Sequence, residues 1–293
     1  MHWFGWVAAG WLTASTRVVA QTPADWAVVA GILGVPGAEV GGYRRFSLPR
    51  RDLSVTVGDV AVAPGLALGG WVGFDGTPAQ ASAMGDLVVT AAELRAVSRR
   101  LIDGGLAITA VHNHLAGERP QILYLHFHGH GAAATIVRTL DQALAATGTP
   151  RGSAASAPKA EPVLADTGFI FRELDVTGRA SGNVVTVSMT LIGVPVVLDG
   201  VALRPSLALG SPINFQRIAD DRSVVTGDFA VTAKAAEAMI GTLIKNDIVV
   251  TSVHSHLIGE SPAVSYIHFW GDGPLPRLIR GLKVAIDGAR AAK

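Results

Sequence analysis

The chain repeats itself at a shift of 142 residues, so whatever fold it adopts has to be built twice. Residues 111–129 (VHNHLAGERPQILYLHFHG) fall on 253–271 (VHSHLIGESPAVSYIHFWG) with 11 identities in 19, and 85–110 fall on 227–252 with 9 in 26. Further upstream, GLALG at 65–69 matches SLALG at 206–210 at a shift of 141, so one residue is inserted between. A period this long denotes duplicated domains rather than a solenoid of short repeats. The 293 residues are enough for two domains that each bury a core.

Residues outside the repeat suggest how the chain is organised. Residues 3–12 (WFGWVAAGWL) form a short apolar run, and Val18, Val19 and Ala20 offer small side chains before Gln21. That is the pattern of a cleavable secretory signal over residues 1–20. The run is too short to span a bilayer comfortably, so no stable membrane span is expected after cleavage. Residues 147–162 (TGTPRGSAASAPKAEP) are rich in small residues and proline and lack apolar periodicity, which reads as a linker. The expected order is a signal peptide (1–20), a first repeat domain (21–146), the linker (147–162) and a second repeat domain (163–293). A periplasmic or secreted location follows.

Composition excludes several classes. Net charge is +1 with acidic and basic residues interspersed, and no basic stripe points to nucleic acid. The chain has no cysteine, which rules out disulfides and thiolate zinc sites and leaves histidine and carboxylate as metal ligands. There is no Gly-x-Ser-x-Gly elbow and no phosphate-binding glycine-rich loop.

Within the first copy, residues 55–62, 66–74 and 86–89 read as strands. Thr90 with Glu93 forms a capping box ahead of a helix over 91–102 that stops at Gly104-Gly105. Residues 106–114 alternate as a strand, 115–121 form a loop, 122–128 return as a strand, and 132–145 have helical spacing. The second copy repeats the order, with Thr232 at the cap and Lys245, Asn246 and Asp247 at the helix end. The fold class is α+β: two tandem homologous domains, each an antiparallel sheet with two helices packed on it.

The histidines carry the chemistry. Side chains alternate along a strand, so His112 and His114 share one face, and Tyr124, His126, His128 and His130 share one face of the returning strand. A hairpin between the two strands would place His112, His114 and His126 within reach of one ion, with Glu118 entering from the loop. The second copy offers His254, His256, Glu260 and His268 in the same places, but Trp270 replaces His128 and Asp272 replaces His130. A single histidine in such a place usually faces solvent or a hydrogen-bonding neighbour. Four potential ligands recurring in register favour a divalent metal, zinc first, with Mn, Fe or Cu as alternatives. Arg50, Arg51 and Asp52, present in the first copy alone, read either as a solvated strand start or as a clamp for an anionic group.

Two resemblances attach to these residues. HNHLAGE (112–118) is similar to the first cupin motif, His-x-His-x3-Glu, which implies a Mn, Fe, Ni or Zn site; the match covers these residues and the later His126. The whole repeat, with PRRDL (49–53), MGDLVVT (84–90), VHNHL and LHFHG, resembles a domain-of-unknown-function family of exported bacterial proteins typified by the lipoproteins LppY and LpqO. That resemblance implies export and no particular activity. The chain lacks the lipobox cysteine of those lipoproteins.

The function expected from these readings is an exported metal-dependent hydrolase acting on a small-molecule or cell-envelope substrate. Its site would be the three histidines and one glutamate of the first copy, with Glu118 as ligand or general base and His128 as a proton shuttle. The alternatives are a non-catalytic metal-binding or envelope-associated protein, and a cupin-like metal oxidoreductase.

Overall fold

A computed structural model describes residues 26–152 and 167–292. The signal-peptide reading (1–20), linker residues 153–162 and residues 163–166 of the second repeat lie outside the described residues. The first half runs α1 (Ala27–Leu33), β1 (Gly37–Val40), β2 (Tyr43–Pro49), β3 (Thr56–Val57), β4 (Val60–Ala61), α2 (Pro64–Ala67), β5 (Gly69–Thr77), β6 (Gln80–Thr90), α3 (Ala91–Asp103), β7 (Ala107–His112), β8 (Glu118–Arg119), β9 (Ile122–Gly131) and α4 (Ala133–Leu144). The second half repeats it as α5 (Thr167–Leu174), β10 (Gly178–Ser181), β11 (Val184–Thr190), β12 (Val197–Leu198), β13 (Val201–Ala202), α6 (Pro205–Ala208), β14 (Gly210–Ala219), β15 (Arg222–Thr232), α7 (Ala233–Lys245), β16 (Val249–His254), β17 (Val264–Gly273) and α8 (Leu275–Ala291).

Each half builds one six-stranded antiparallel sheet, in the orders β1-β2-β5-β6-β9-β7 and β10-β11-β14-β15-β17-β16. The α+β tandem architecture read from the sequence is therefore the one observed, with more helix and more strand than expected. The stretch 55–62, expected as one strand, is a β3–β4 hairpin that joins β8 in a separate three-stranded sheet. Pro64, preset for the first turn of a helix, puts Leu66 in α2 instead of at the start of a strand. The strand expected at 86–89 begins at Gln80, and its small residues Ala81, Ala83 and Gly85 fit because it lies between β5 and β9. A Cβ at Gly85 would meet the Trp71 carbonyl and the Phe127 ring, and one at Gly227 would meet the Pro212 carbonyl and the Phe269 ring. Glycine at both places lets the edge of an aromatic ring come close to the backbone.

The period of two along the central strands divides each sheet into an apolar face and a polar one. Leu87, Val89, Leu125 and Phe127 enter a core with residues of α1, α3 and α4, while Phe229, Val231, Ile267 and Phe269 enter one with residues of α5, α7 and α8. The opposite faces turn toward each other. There Val88, Ile122, Tyr124, Leu66 and Leu68 pack with Val184 and Val224 of the second half, and Tyr43 and Met84 pack with Leu198, Leu207 and Leu257. The layers are helix, sheet, sheet, helix. Hydrogen bonds lock the inner faces: Gln216 donates to the Ala61 carbonyl (2.8 Å) and accepts from the Ala63 amide (2.9 Å), and Asn214 donates to the Leu66 carbonyl (2.9 Å).

Candidate metal centre

The expected hairpin is present. β7 pairs with β9 so that His112 lies opposite Tyr124 and Ala110 opposite His126, with a bulge between Ile108 and Ala110. On the other side of β9, β6 places Asp86 opposite His126, Val88 opposite Tyr124 and Met84 opposite His128. His112, Tyr124, His126 and Asp86 therefore share the inner face. β15, β16 and β17 do the same with Asp228, His254, Tyr266 and His268. The tyrosines are pinned in matching ways, Tyr124 OH donating to the Ala67 carbonyl and Tyr266 OH to that of Ala208.

The two inner faces meet at the histidines, so the halves form one cluster and not two. His112 packs against its counterpart His254 with ring centroids 4.0 Å apart and the rings tilted by 32°, which marks the pseudo-twofold. His114 packs on His268 of the other half (4.0 Å), and its mate His256 packs on His126 (4.7 Å). Thr251 fixes the crossing by donating to the His114 carbonyl at 2.7 Å. Each histidine at a strand end also lies flat on its own half's tyrosine, His114 on Tyr124 at 3.5 Å and His256 on Tyr266 at 3.8 Å.

Two sets of donor atoms converge here. One atom each from His112, His254, His256 and His268 lies within 4.8 Å of the others, and one each from Asp86, His112 and His114 forms a second set. A tetrahedral ion with bonds of about 2.0–2.1 Å holds its nitrogens about 3.3 Å apart, so side-chain rotations of about an ångström would close the first set. The carboxylates beside the histidines are Asp86, 3.6 Å from His114 Nε2 and 4.0 Å from His112 Nε2, and Asp228, 4.0 Å from both His256 Nδ1 and His268 Nε2.

Glu118 and Glu260, expected among the ligands, fall outside both sets of converging donors. Glu118 Oε1 accepts from the Ile122 amide (3.4 Å) and Glu260 Oε1 from the Val264 amide (3.0 Å), each bracing the loop of its hairpin. His126 touches the cluster through its stack on His256, and its Nδ1 is 3.0 Å from Thr109 Oγ1. His128 lies further along β9 in a third set with His130 and Asp199. Arg50 is neither solvated nor a clamp for a ligand. It is 1% exposed and binds Asp52, Glu93 and the Val88 carbonyl at 2.8–3.2 Å.

Asp86 and Asp228 are not among the site residues expected from the sequence. The signal was present, since Gly-Asp recurs at the repeat spacing in MGDLVVT and TGDFAVT, with the acid inside an apolar strand. Burial decides the electrostatics of the cluster. It pushes the Asp86 carboxyl up to about 8 against the pull of Arg45, and it raises Asp228 well above the carboxylate range, as does the neighbouring Asp86. Burial, aided by repulsion from neighbouring histidines, lowers His126 to about 3, and burial alone lowers His254 to about 4. The imidazoles are therefore neutral, which is the ligating form. His112 Nδ1, His254 Nε2, His256 Nε2, Asp86 Oδ1 and Asp228 Oδ1 are buried without a hydrogen-bond partner among the described residues. Each such atom costs about 1–3 kcal/mol. A cation at the centre would give the nitrogens a partner and would favour the ionised form of the two carboxyls that burial otherwise keeps protonated, so the residues fit a metal.

The family described as Domain of Unknown Function (DUF1259) matches residues 27–146 and again residues 170–288. No curated protein matches the chain. Among solved structures it is similar to the fused permuted hexameric shell protein MSM0275 from the RMM microcompartment, at 16% identity over 73% of this chain and 84% of that one, with a TM-score of 0.20. It is also similar to EtuB from Clostridium kluyveri (10% identity, 88% of this chain, 91% of that one, TM-score 0.23). A third is the trimeric bacterial microcompartment shell protein PduB (12%, 89%, 90%, 0.21). No helix among the described residues is long and apolar enough to cross a membrane.

Proposed function

The chain belongs, in both of its halves, to the DUF1259 family of domains of unknown function, and on that premise we propose that it is a metal-binding protein whose two copies jointly hold one divalent transition-metal ion. The observation that carries this reading is the set His112, His254, His256 and His268, whose donor atoms lie within 4.8 Å of one another across the two halves. Four neutral nitrogens suit zinc, copper or nickel and suit calcium or magnesium poorly. Asp86 and Asp228 would release their protons as the dication binds and then offset its charge. Zinc is the first candidate.

Burial of the cluster supports a binding or metal-handling role over the hydrolase expected from the sequence. His256 is 6% exposed and His268 fully buried. Hydrolysis remains the second reading because the His114 side chain, beside Asp86, keeps 21% of its surface in solvent. In that reading the Asp86 carboxyl, which burial alone holds protonated, would ionise beside the bound cation and serve as the general base. Export, read from residues 1–20 and from the likeness to LppY- and LpqO-type proteins, is part of the proposal. Mass spectrometry of exported material should find the N-terminus near Gln21.

The test is elemental analysis of tag-free protein purified from its native compartment. We expect at least one transition-metal ion per chain, and one fewer in the His112→Ala/His256→Ala double variant. Protein that arrives metal-free and takes up no zinc, copper or nickel would refute the reading. Ester or phosphoester hydrolysis that needs metal and is lost in His114→Ala, with the ion retained, would establish the second reading instead.

A further inference from the structure

The pseudo-twofold that relates the halves also relates two places at the rim of the sheet–sheet interface, and they are built differently. At one, Arg222 at the start of β15 donates to Asp272 on β17 (2.7–2.8 Å) and to Asp59 in the β3–β4 turn of the other half (2.7–2.9 Å). A guanidinium there joins a carboxylate of its own sheet to a turn carboxylate from the opposite half. At the related place, β9 carries His128 and His130, and the β12–β13 turn of the opposite half carries Asp199. Position by position, His130 replaces Asp272, His128 replaces Trp270, and the uncharged Gln80 replaces Arg222. Each turn keeps one aspartate, in Gly58-Asp59 and in Asp199-Gly200. The second place thus retains the bridging acid and has lost its bridging cation.

We propose that the His128, His130 and Asp199 place is a second metal site, distinct from the buried centre, in which a divalent transition-metal ion does the bridging that Arg222 does at the related place. One donor atom from each of the three residues lies within 4.8 Å of the others. The two rings meet edge to face with centroids 4.3 Å apart, so both can offer a nitrogen to one point. Ser82 Oγ lies 3.0 Å from His130 Nδ1, which orients the ring and leaves Nε2 for the ion. Two imidazoles and one carboxylate leave coordination positions for water. His130 and Asp199 are exposed, so the ion would exchange with solvent more readily than one at the centre. His128 is also the next residue after His126 on the inner face of β9, which places this rim site at the solvent end of the same histidine row.

The proposal does not depend on the central site, and its test separates the two. Chelator-treated, tag-free protein is titrated calorimetrically with zinc, comparing wild type with His130→Gln, Asp199→Asn and His112→Ala/His256→Ala. Asparagine is chosen because Asp199 has φ of 51°, a left-handed conformation that asparagine tolerates. Equal unfolding temperatures without metal will confirm that this variant is folded. We expect two stages in wild type, with the weaker reduced more than about tenfold in His130→Gln and Asp199→Asn, since loss of even an outer partner costs about 10–100-fold. The His112→Ala/His256→Ala protein should keep the weaker stage even where the tight one is lost or was never present. A wild type without a weaker stage, or one left unchanged by both rim variants, would overturn the proposal.

Discussion

Asp86 and Arg50 show how differently two buried charges are treated in this molecule. Asp86 is 6% exposed, and its Oδ1 has no hydrogen-bond partner among the described residues, so burial holds it protonated near neutrality. Replacing it with asparagine should leave the metal-free fold as stable as before, because a neutral carboxyl and an amide have nearly the same shape. Metal affinity, measured by chelator competition, should fall about 10–100-fold, as it does for groups that support a metal from outside its ligands. Unchanged affinity would remove Asp86 from the centre. Arg50 is buried with all its partners in place, so Arg50→Met should destabilise the protein by roughly 3 kcal/mol, the low end of the range for breaking a buried pair. The low end applies because Asp52 and Glu93 can rehydrate, their side chains being 25% and 16% exposed. Denaturant unfolding checks it, and a loss below about 0.5 kcal/mol, within the range of ordinary surface changes, would show the network to be idle.

Among the elements, α3 and α7 make a matched pair in which one cap is complete and the other is not. Thr90 Oγ1 accepts from the Glu93 amide, and the Glu93 carboxylate accepts from the Thr90 amide, from Arg50 and from the Gly148 amide. Thr232 makes no side-chain cap bond. Thr90→Ala should therefore cost about 1 kcal/mol and Thr232→Ala only a few tenths, so equal losses in thermal unfolding would contradict the cap geometry. Burial pushes the Glu93 carboxyl up, but its bonds from Arg50 and Thr90 outweigh this and hold it below the ordinary range. A depressed folded value means that the stabilising contribution is present above about pH 4.3, the unfolded value, and fades as pH falls through the folded one. The stability gap between wild type and Glu93→Gln should accordingly close on acidification below about pH 4 and persist at neutrality. These helices, with the β7–β9 hairpin, were legible because their apolar spacing and caps are local. The first half of β6 was not, since Ala81, Ala83 and Gly85 have little strand propensity and are held there by β5 and β9. α2 was hidden for the opposite reason, its apolar residues being equally good strand formers until Pro64 decides.

At the scale of the whole molecule, the repeat showed that each half carries a histidine face but not where that face points. Alternation places His112 and His126 together on one side of a sheet, and nothing local says whether that side meets solvent, a helix or the other copy. The apolar neighbours decide it. Val88, Ile122 and Tyr124 share the face with the histidines, and they are buried by Val184 and Val224 of the second half. The same packing brings the two three-histidine sets into one cluster, the candidate centre. An ion held there binds the assembled chain and not the unfolded one, so it stabilises by about 2.7 kcal/mol when its free concentration is about 100 times its dissociation constant. For a chain of this size that corresponds to a rise of about 5–10 °C in unfolding temperature, at roughly 2–4 °C per kcal/mol. The comparison is best made in an Asp199→Asn background, where the weakened rim site contributes least. There, zinc should raise the unfolding temperature of an otherwise wild-type chain and leave that of His112→Ala/His256→Ala unmoved. Because one residue comes from each half, either replacement alone should remove most of the rise. A full rise surviving in His256→Ala but lost in His112→Ala would mean that the ion belongs to the first copy with Asp86 and His114, and that the second copy merely covers it.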